Sequence, residues 1–335
     1  MPPVSSAPAP AGAYHLVLLP AGFSPAAMNA NGLIAGDVQR DLPGEYQNIY
    51  LQTRPAVYDP LSGTMTRVPD PADGHFLSSA RAINVHGDVA GEALYATTAG
   101  AFIAYADGRF VLFDPRGPDP LHGAAPVSLT DNGLMVVNGF RADASRGVVH
   151  QPAVYDGTNV RWLGAALDFA YAANSKGAVA GCANDLSTAA IFQVDSIQSF
   201  LPGDFTHYPC FESINEAGAA VGTVKTPLFW TAFLWDGAAI HTLSATPWAA
   251  AHALNASGQI VGEIDAGGDY ANAEHSLWAP VKHAAIWDLG RVQDLNGLVD
   301  TFGHTLVTAR GINDAGMIFG DLEAGSGGYV LIPRR

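Results

Sequence analysis

Five residues of types used in acid–base chemistry share one position in a repeated phrase. Arg81, Tyr171, Glu212, His252 and Arg310 each stand three residues before an Asn. The other two copies of the phrase carry Ala26 and Val127 there. A position that only packs should repeat its chemistry, whereas one facing a shared cavity is free to differ. An acid, an imidazole, a phenol and two guanidiniums can together move a proton. Glu212 and His252 come from successive repeats, so a hydrogen-bonded pair is expected, with the carboxylate orienting the imidazole and raising its basicity. In this reading His252 is the general base, Glu212 its orienting partner and Tyr171 the acid. Arg81 and Arg310 grip a substrate carboxylate or steady a developing enolate. The competing reading is that these side chains are solvated or paired with one another, since fold alone does not settle function.

The phrase itself is an apolar residue, usually Asn, two small or polar residues, Gly, and an apolar stretch closing on Gly. It occupies residues 28–36, 83–91, 173–181, 214–222, 254–262 and 312–320. A decayed copy begins Leu129-Thr130-Asp131-Asn132-Gly133 and closes on Val137. The turn glycines Gly32, Gly87, Gly133, Gly177, Gly218, Gly258 and Gly316 recur every 40 to 58 residues. Blades of four strands have a period of about 40–45 residues, and longer ones carry insertions.

The fifth repeat reads as four strands, at 212–215, 219–223, 232–235 and 240–243. Asn215-Glu216-Ala217-Gly218 and Asp236-Gly237 serve as turns. The seventh repeat runs out after its third strand, Tyr329-Val330-Leu331-Ile332. A spare strand, Tyr14 to Leu19, precedes the first repeat and can close the ring by pairing with the C-terminal blade, leaving no exposed edge. The expectation is an all-β, seven-bladed β-propeller of four-stranded blades. It places a disordered tail at 1–13 and a single propeller domain at 14–335, with the five variable residues pointing into the central channel.

Long connections, 37–54, 114–125, 202–210, 263–283 and 296–308, carry His122, Asp204, His207, Tyr208, His275, Trp278 and His304. Trp248 lies on a shorter one. Long loops are where function often sits, and His207 and Trp248 are the substrate contacts expected there. The opposite face carries only short turns, and no site is expected on it.

The phrases Ile214-Asn215-Glu216-Ala217-Gly218 and Ala232-Phe233-Leu234-Trp235 resemble the HAF repeat, described mainly in predicted extracellular bacterial proteins. The resemblance runs from about residue 24 to the end. It implies architecture and says almost nothing about activity.

Composition narrows the functions. The net charge of -15 repels phosphate backbones and anionic membrane surfaces. No apolar run approaches the roughly 18 residues of a spanning helix. The uncharged Pro, Ala and Ser of residues 1–13 lack the basic head and apolar core of a signal peptide. A cytoplasmic protein is expected, or a secreted or periplasmic one if the N-terminus has been trimmed. Cys182 and Cys210 have no metal-ligand spacing, and two free buried thiols are expected rather than a disulfide. No phosphate-binding glycine loop, His-Glu-x-x-His run or Gly-x-Ser-x-Gly elbow occurs, so neither metal nor cofactor is expected. The first functional expectation is a monomeric, cofactor-independent lyase, isomerase or cyclase. It acts on a small anionic or carbonyl-bearing substrate at the channel mouth. The alternative is a non-catalytic protein- or glycan-binding propeller of a secreted or surface protein.

Overall fold

The structure, a computed structural model, describes residues 12–39, 53–71, 76–95, 98–113, 123–143, 147–163, 167–183, 188–193, 196–200, 208–225, 230–243, 248–267, 281–324 and 327–334. The short alternating segments bounded by Asn-x-x-Gly and Asp-Gly turns form strands. Among the described residues there is no α-helix, and one 3-10 turn, Leu295–Gly297. Seven four-stranded antiparallel blades make up a β-propeller.

Strand β1 (Tyr14–Leu18) precedes the blades. Blade 1 holds β2 (Phe23–Met28), β3 (Ile34–Gln39), β4 (Thr53–Asp59) and β5 (Thr64–Arg67). Blade 2 holds β6 (Phe76–Ile83), β7 (Val89–Tyr95), β8 (Thr98–Ala104) and β9 (Phe110–Phe113). Blade 3 holds β10 (Gly123–Leu129), β11 (Met135–Asp143), β12 (Gly147–Tyr155) and β13 (Val160–Trp162). Blade 4 holds β14 (Phe169–Ala173), β15 (Val179–Ala183), β16 (Thr188–Gln193) and β17 (Ser196–Phe200). Blade 5 holds β18 (Pro209–Ile214), β19 (Ala220–Lys225), β20 (Trp230–Trp235) and β21 (Ile240–Thr242). Blade 6 holds β22 (Ala249–Leu254), β23 (Ile260–Asp265), β24 (Lys282–Asp288) and β25 (Arg291–Asp294). Blade 7 holds β26 (Leu306–Ile312), β27 (Ile318–Leu322) and β28 (Gly328–Pro333).

The chain divides into two compact units, Gly22–Phe200 and Met1–Ala21 with Leu201–Arg335. In the first, blades 2 and 3 share one sheet through a single parallel pair, Gly123 with Ala99. In the second, β1 supplies the strand that blade 7 lacks. It pairs antiparallel with β28, from Tyr14 opposite Pro333 to Leu18 opposite Tyr329. Gly12 already donates its backbone N–H to Leu298 O at 3.1 Å, so order begins before the expected strand. The rest of the expected tail, residues 1–11, lies outside the described residues.

The turn chemistry explains the Asn. Asn215 Oδ1 accepts from the N–H groups of Ala217 and Ala219, both at 3.0 Å, and Gly218 takes φ 90°. That left-handed conformation is the one glycine adopts without strain. The amide nitrogen of the same side chain reaches the next blade: Asn215 Nδ2 donates to Asn255 O, and Asn255 Nδ2 to Asn313 O, both at 3.2 Å. Asn29 Nδ2 does the same to Asn84 O at 2.8 Å. In the decayed copy Thr130 Oγ1 caps the turn through Leu134 N–H at 3.0 Å, and Asn132 Nδ2 takes over the cross-blade bond, to Ser175 O at 2.8 Å.

Every first strand slips register by one residue at the variable position, Ala26, Arg81, Val127, Tyr171, Glu212, His252 or Arg310, and β6 and β26 slip a second time, at Ser78 and Val307. The variable position of the repeat is therefore a β-bulge. The closing glycine faces it because the bulge drives a carbonyl toward the neighbouring strand. A Cβ on Gly222 would lie 1.9 Å from Cys210 O, and one on Gly262 1.9 Å from Ala250 O. Between blades the core is largely alanine and aliphatic: Val221, Ala232, Ala249, Ala251, Ile260 and Ala285 pack together with Trp287 in the second unit.

Neither cysteine is free. Cys182 and Cys210 are both disulfide-bonded, which overturns the expectation of two thiols. Spacing alone could not reveal this, because strand pairing, not sequence distance, decides where a sulfur lies.

Candidate functional site

A bulged residue has no cross-strand partner, so its side chain is re-aimed out of the pleat. In blades 5 and 6 two such side chains meet. His252 Nδ1 donates to Glu212 Oε2 at 2.6 Å, and the two side chains keep 23% and 19% of their exposure. Glu212 Oε1 has no hydrogen-bond partner among the described residues. On the other side of the ring, His252 Nε2 lies 3.9 Å from Glu263 Oε1. Glu263, on β23, is buried and accepts hydrogen bonds from Lys282 Nζ at 3.0 Å and Thr308 Oγ1 at 2.6 Å. The cluster thus joins blades 5, 6 and 7 of one unit.

Two carboxylates set the charge of the imidazole. Burial opposes its protonation, but the hydrogen bond to Glu212 and the attraction of Glu212 and Glu263 prevail and push its pKa up to about 9. Burial likewise opposes ionisation of Glu263. The nearby charge of His252, the hydrogen bond from Thr308 and the charge of Lys282 bring its pKa down to about 2. At neutral pH the ring is an imidazolium between two carboxylates. It can donate a proton or bind an oxyanion, while the open oxygen of Glu212 can accept a proton.

An aromatic wall adjoins the cluster. Trp248, expected as a substrate contact, is buried and stacks on Trp230, with ring centroids 4.7 Å apart and planes 21° from parallel. Lys282 Nζ sits 4.6 Å from the Trp248 ring centre and 5.7 Å from that of Trp230; Lys225 Nζ sits 4.6 Å above Trp230. Glu212, His252 and Trp248 are therefore gathered through Glu263 and Lys282.

Each remaining expected residue has its own surroundings. Arg310 is ion-paired within its own blade, Nε to Asp321 Oδ2 at 2.6 Å. Arg81 is paired in the same way in blade 2, its Nη2 2.9 Å from Glu92 Oε1. Tyr171 is exposed on β14 of the Gly22–Phe200 unit. His207 lies outside the described residues, as do His122, Asp204, His275 and Trp278. Tyr208 is exposed, and His304 Nδ1 lies 3.1 Å from Glu323 Oε1. A cavity of about 660 Å³ lies between blades 1 and 2, lined in part by Val57, Arg67, Tyr105 and Arg109, and holds none of the expected site residues. Among the described residues no group of three or more His, Cys, Asp or Glu is placed to hold a metal ion.

Sequence reasoning missed Glu263, although a second variable position carried the signal. The residue after each closing glycine, or after Val137, is Asp37, Glu92, Asn138, Cys182, Thr223, Glu263 or Asp321. Several are struts to the next blade: Asp37 Oδ1 accepts from Ala80 N–H at 2.7 Å, Asn138 Oδ1 from Ala170 N–H at 2.9 Å and Thr223 Oγ1 from Ala251 N–H at 3.2 Å. Each of those N–H groups belongs to the residue just before a bulge. Burial chiefly, against the Ala80 bond and the charge of Arg81, raises the pKa of Asp37 to about 6.

No protein-family model matches the chain, and no curated protein is similar to it. Solved structures are similar in fold. The Pyrococcus horikoshii acylaminoacyl peptidase matches at TM-score 0.54 and 10% identity, covering 90% of this chain and 49% of that one. A chain of the mitotic checkpoint complex matches at TM-score 0.52 and 10% identity, covering 98% of both chains. TolB from Acinetobacter baumannii matches at TM-score 0.40 and 14% identity, covering 66% of this chain and 51% of that one. The chain spans about half the length of the TolB and peptidase chains it matches. At these identities the likeness to the peptidase and to the checkpoint-complex chain shows the fold alone.

Proposed function

We propose that the protein is a cofactor-independent acid–base enzyme of lyase, isomerase or cyclase type, acting on a small carbonyl-bearing carboxylate at the Glu212–His252–Glu263 cluster. The carrying observation is an imidazole clamped between two carboxylates from adjacent blades and still partly open to solvent. The roles follow from charge. An imidazolium with a pKa near 9 is a poor base at neutral pH, so His252 polarises the substrate carbonyl and donates to the developing enolate. Glu212, through its open Oε1, takes the α-proton. Glu263 keeps His252 charged and is itself held by Lys282 and Thr308.

The stacked Trp230 and Trp248 favour a second reading, a non-catalytic binding propeller that uses the aromatic wall. The HAF-like phrases and the disulfide-bonded cysteines together support an exported protein, since structural disulfides persist in oxidising compartments.

The test is α-proton exchange in D2O, followed by NMR over a panel of 2-oxo and 3-oxo carboxylates. Wild-type protein is expected to wash deuterium into at least one of them. Glu212→Gln and His252→Gln should each slow exchange by about 10²-fold or more. Exchange that survives both substitutions, or no exchange across the panel, replaces the catalytic reading with the binding one.

A further inference from the structure

We infer that Lys225 and Lys282, seated on the Trp230–Trp248 stack, form the anion subsite of the same cluster, and that Lys225 is its main anchor for a carboxylate. This rests on the proposed site but not on its chemistry.

Three observations carry the inference. First, both ammoniums are placed by sheet register. Lys225 ends β19 directly opposite Trp230, which starts β20, and Trp230 bridges to Trp248 at the entry to blade 6. Lys282 starts β24 opposite Asp265. Both lysines therefore sit at one end of blades 5 and 6, and both lie within 6 Å of the Trp230 ring centre, at 4.6 and 5.7 Å. Second, their charges are spent differently. Lys282 is bound by Glu263 at 3.0 Å, while Lys225 is exposed and has no carboxylate partner among the described residues. Third, the charges near the stack are unevenly matched. Lys282 and His252 lie among three carboxylates, Glu212, Glu263 and Asp265, which leaves Lys225 as the ammonium without a carboxylate partner among the described residues, in a chain whose net charge is -15. Arg310 does not enter this balance, because Asp321 neutralises it.

An ammonium with no carboxylate partner, held on aromatic rings in a strongly acidic protein, is an anchor for an anion. The rings remove one side of each ammonium from water and hold it by cation–π attraction, limiting the side-chain entropy lost when an anion binds. The ligand class is a small mono- or dicarboxylate, its carboxylate on Lys225 and its reacting end toward His252.

Malonate and inorganic phosphate are the probes, titrated calorimetrically at pH 7 into wild-type protein, Lys225→Gln, Lys282→Gln and, as a charge-matched control, Lys176→Gln. Wild-type protein should bind malonate. Lys225→Gln should weaken it about tenfold or more, Lys282→Gln should weaken it too, and Lys176→Gln should not. Lys225 is exposed, so its variant tests the proposal even if Lys282→Gln, which strands Glu263, folds poorly. Malonate affinity unchanged in Lys225→Gln overturns the subsite, as does wild-type protein that binds neither probe. Phosphate bound as tightly as malonate, with the same loss in Lys225→Gln, supports an anion site but overturns the preference for carboxylates. If the exchange assay is silent while malonate binding depends on Lys225, the acid–base reading fails and the subsite stands.

Discussion

His252 and Glu212 occupy the same bulge in successive blades, and their side chains meet at 2.6 Å. The relationship follows from the repeat. Register slips by one residue at the same point in each first strand, and the residue left unpaired is turned out of the sheet. When adjacent repeats place opposite charges there, an ion pair between blades results without any change in scaffold. Where the cation instead finds its partner inside its own blade, as Arg310 does with Asp321, the pair closes on itself.

The imidazole of His252 should titrate near pH 9, read from its carbon-bound ring protons by NMR against His252→Gln. Its raised pKa means that the stabilisation is fully present below the unfolded value of about 6.5 and is lost as pH rises through about 9. Glu263 works in the opposite sense: its contribution is present above the unfolded value of about 4.5 and is lost as pH falls through about 2. The stability difference between wild type and His252→Gln should therefore be greatest between about pH 4.5 and 6.5, at most about 3 kcal/mol from the shift of His252, and shrink on the alkaline side. A titration midpoint near 6.5 would show that the carboxylates do not hold the ring charged.

Two glycines of one repeat should respond differently to alanine. A Cβ on Gly262 meets Ala250 O at 1.9 Å, a backbone atom that cannot move without disturbing the bulge beside His252. Gly262→Ala should lose about 3 kcal/mol or more in urea denaturation, or fail to fold. Gly258 has open space around it but sits at φ 83°, so Gly258→Ala should lose only about 1–2 kcal/mol. Equal losses would mean that the bulge carbonyl yields easily.

The sequence carried the architecture because each scaffold residue has a single local duty that recurs. Asn caps its own turn, Gly takes the positive φ, and the closing Gly clears a carbonyl; such duties repeat visibly. The Glu212–His252 pair was legible for the same reason, as a fixed position whose chemistry varied. Glu263 was not, because a polar residue after the closing glycine looks like an ordinary strand residue until β23 is seen to carry it under His252. Lys282 and Trp230 were hidden more deeply. Their neighbours, Trp248 and Lys225, are set by blade-to-blade packing and by the ends of strands, which repeat spacing does not fix. The charge of His252 was hidden too, since one carboxylate was anticipated and two are present.

The cysteines offer a direct chemical check. Unfolded in denaturant without reductant, the protein should yield no titratable thiol, because Cys182 and Cys210 are both disulfide-bonded. After reduction it should yield both, and the reduced protein should melt at a lower temperature, since losing a disulfide costs about 2–5 kcal/mol in proteins that depend on one. Two thiols before reduction would contradict the bonded state and remove one support for export.

The Asn belt should matter more than its turn positions suggest. Asn255 Oδ1 accepts from Gln259 N–H at 3.0 Å, and its Nδ2 donates to Asn313 O at 3.2 Å, so one side chain both caps a turn and ties blade 6 to blade 7. The residue is buried, so truncation leaves the Gln259 N–H without its acceptor and takes one donor from Asn313 O, which keeps the Gly316 N–H at 2.9 Å. Asn255→Ala should therefore lose about 2–4 kcal/mol in chemical denaturation. Asn255→Asp keeps the capping oxygen but cannot donate, and it places a carboxylate against Asn313 O and Gln259 Oε1, which also accepts from Asn255 Nδ2 at 2.9 Å. Its loss should grow from pH 4 to pH 7 as the new carboxylate ionises, whereas that of Asn255→Ala should stay flat. If Asn255→Asp instead loses almost nothing at either pH while Asn255→Ala loses the full amount, the cross-blade donor contributes nothing and the turn cap alone explains why Asn recurs.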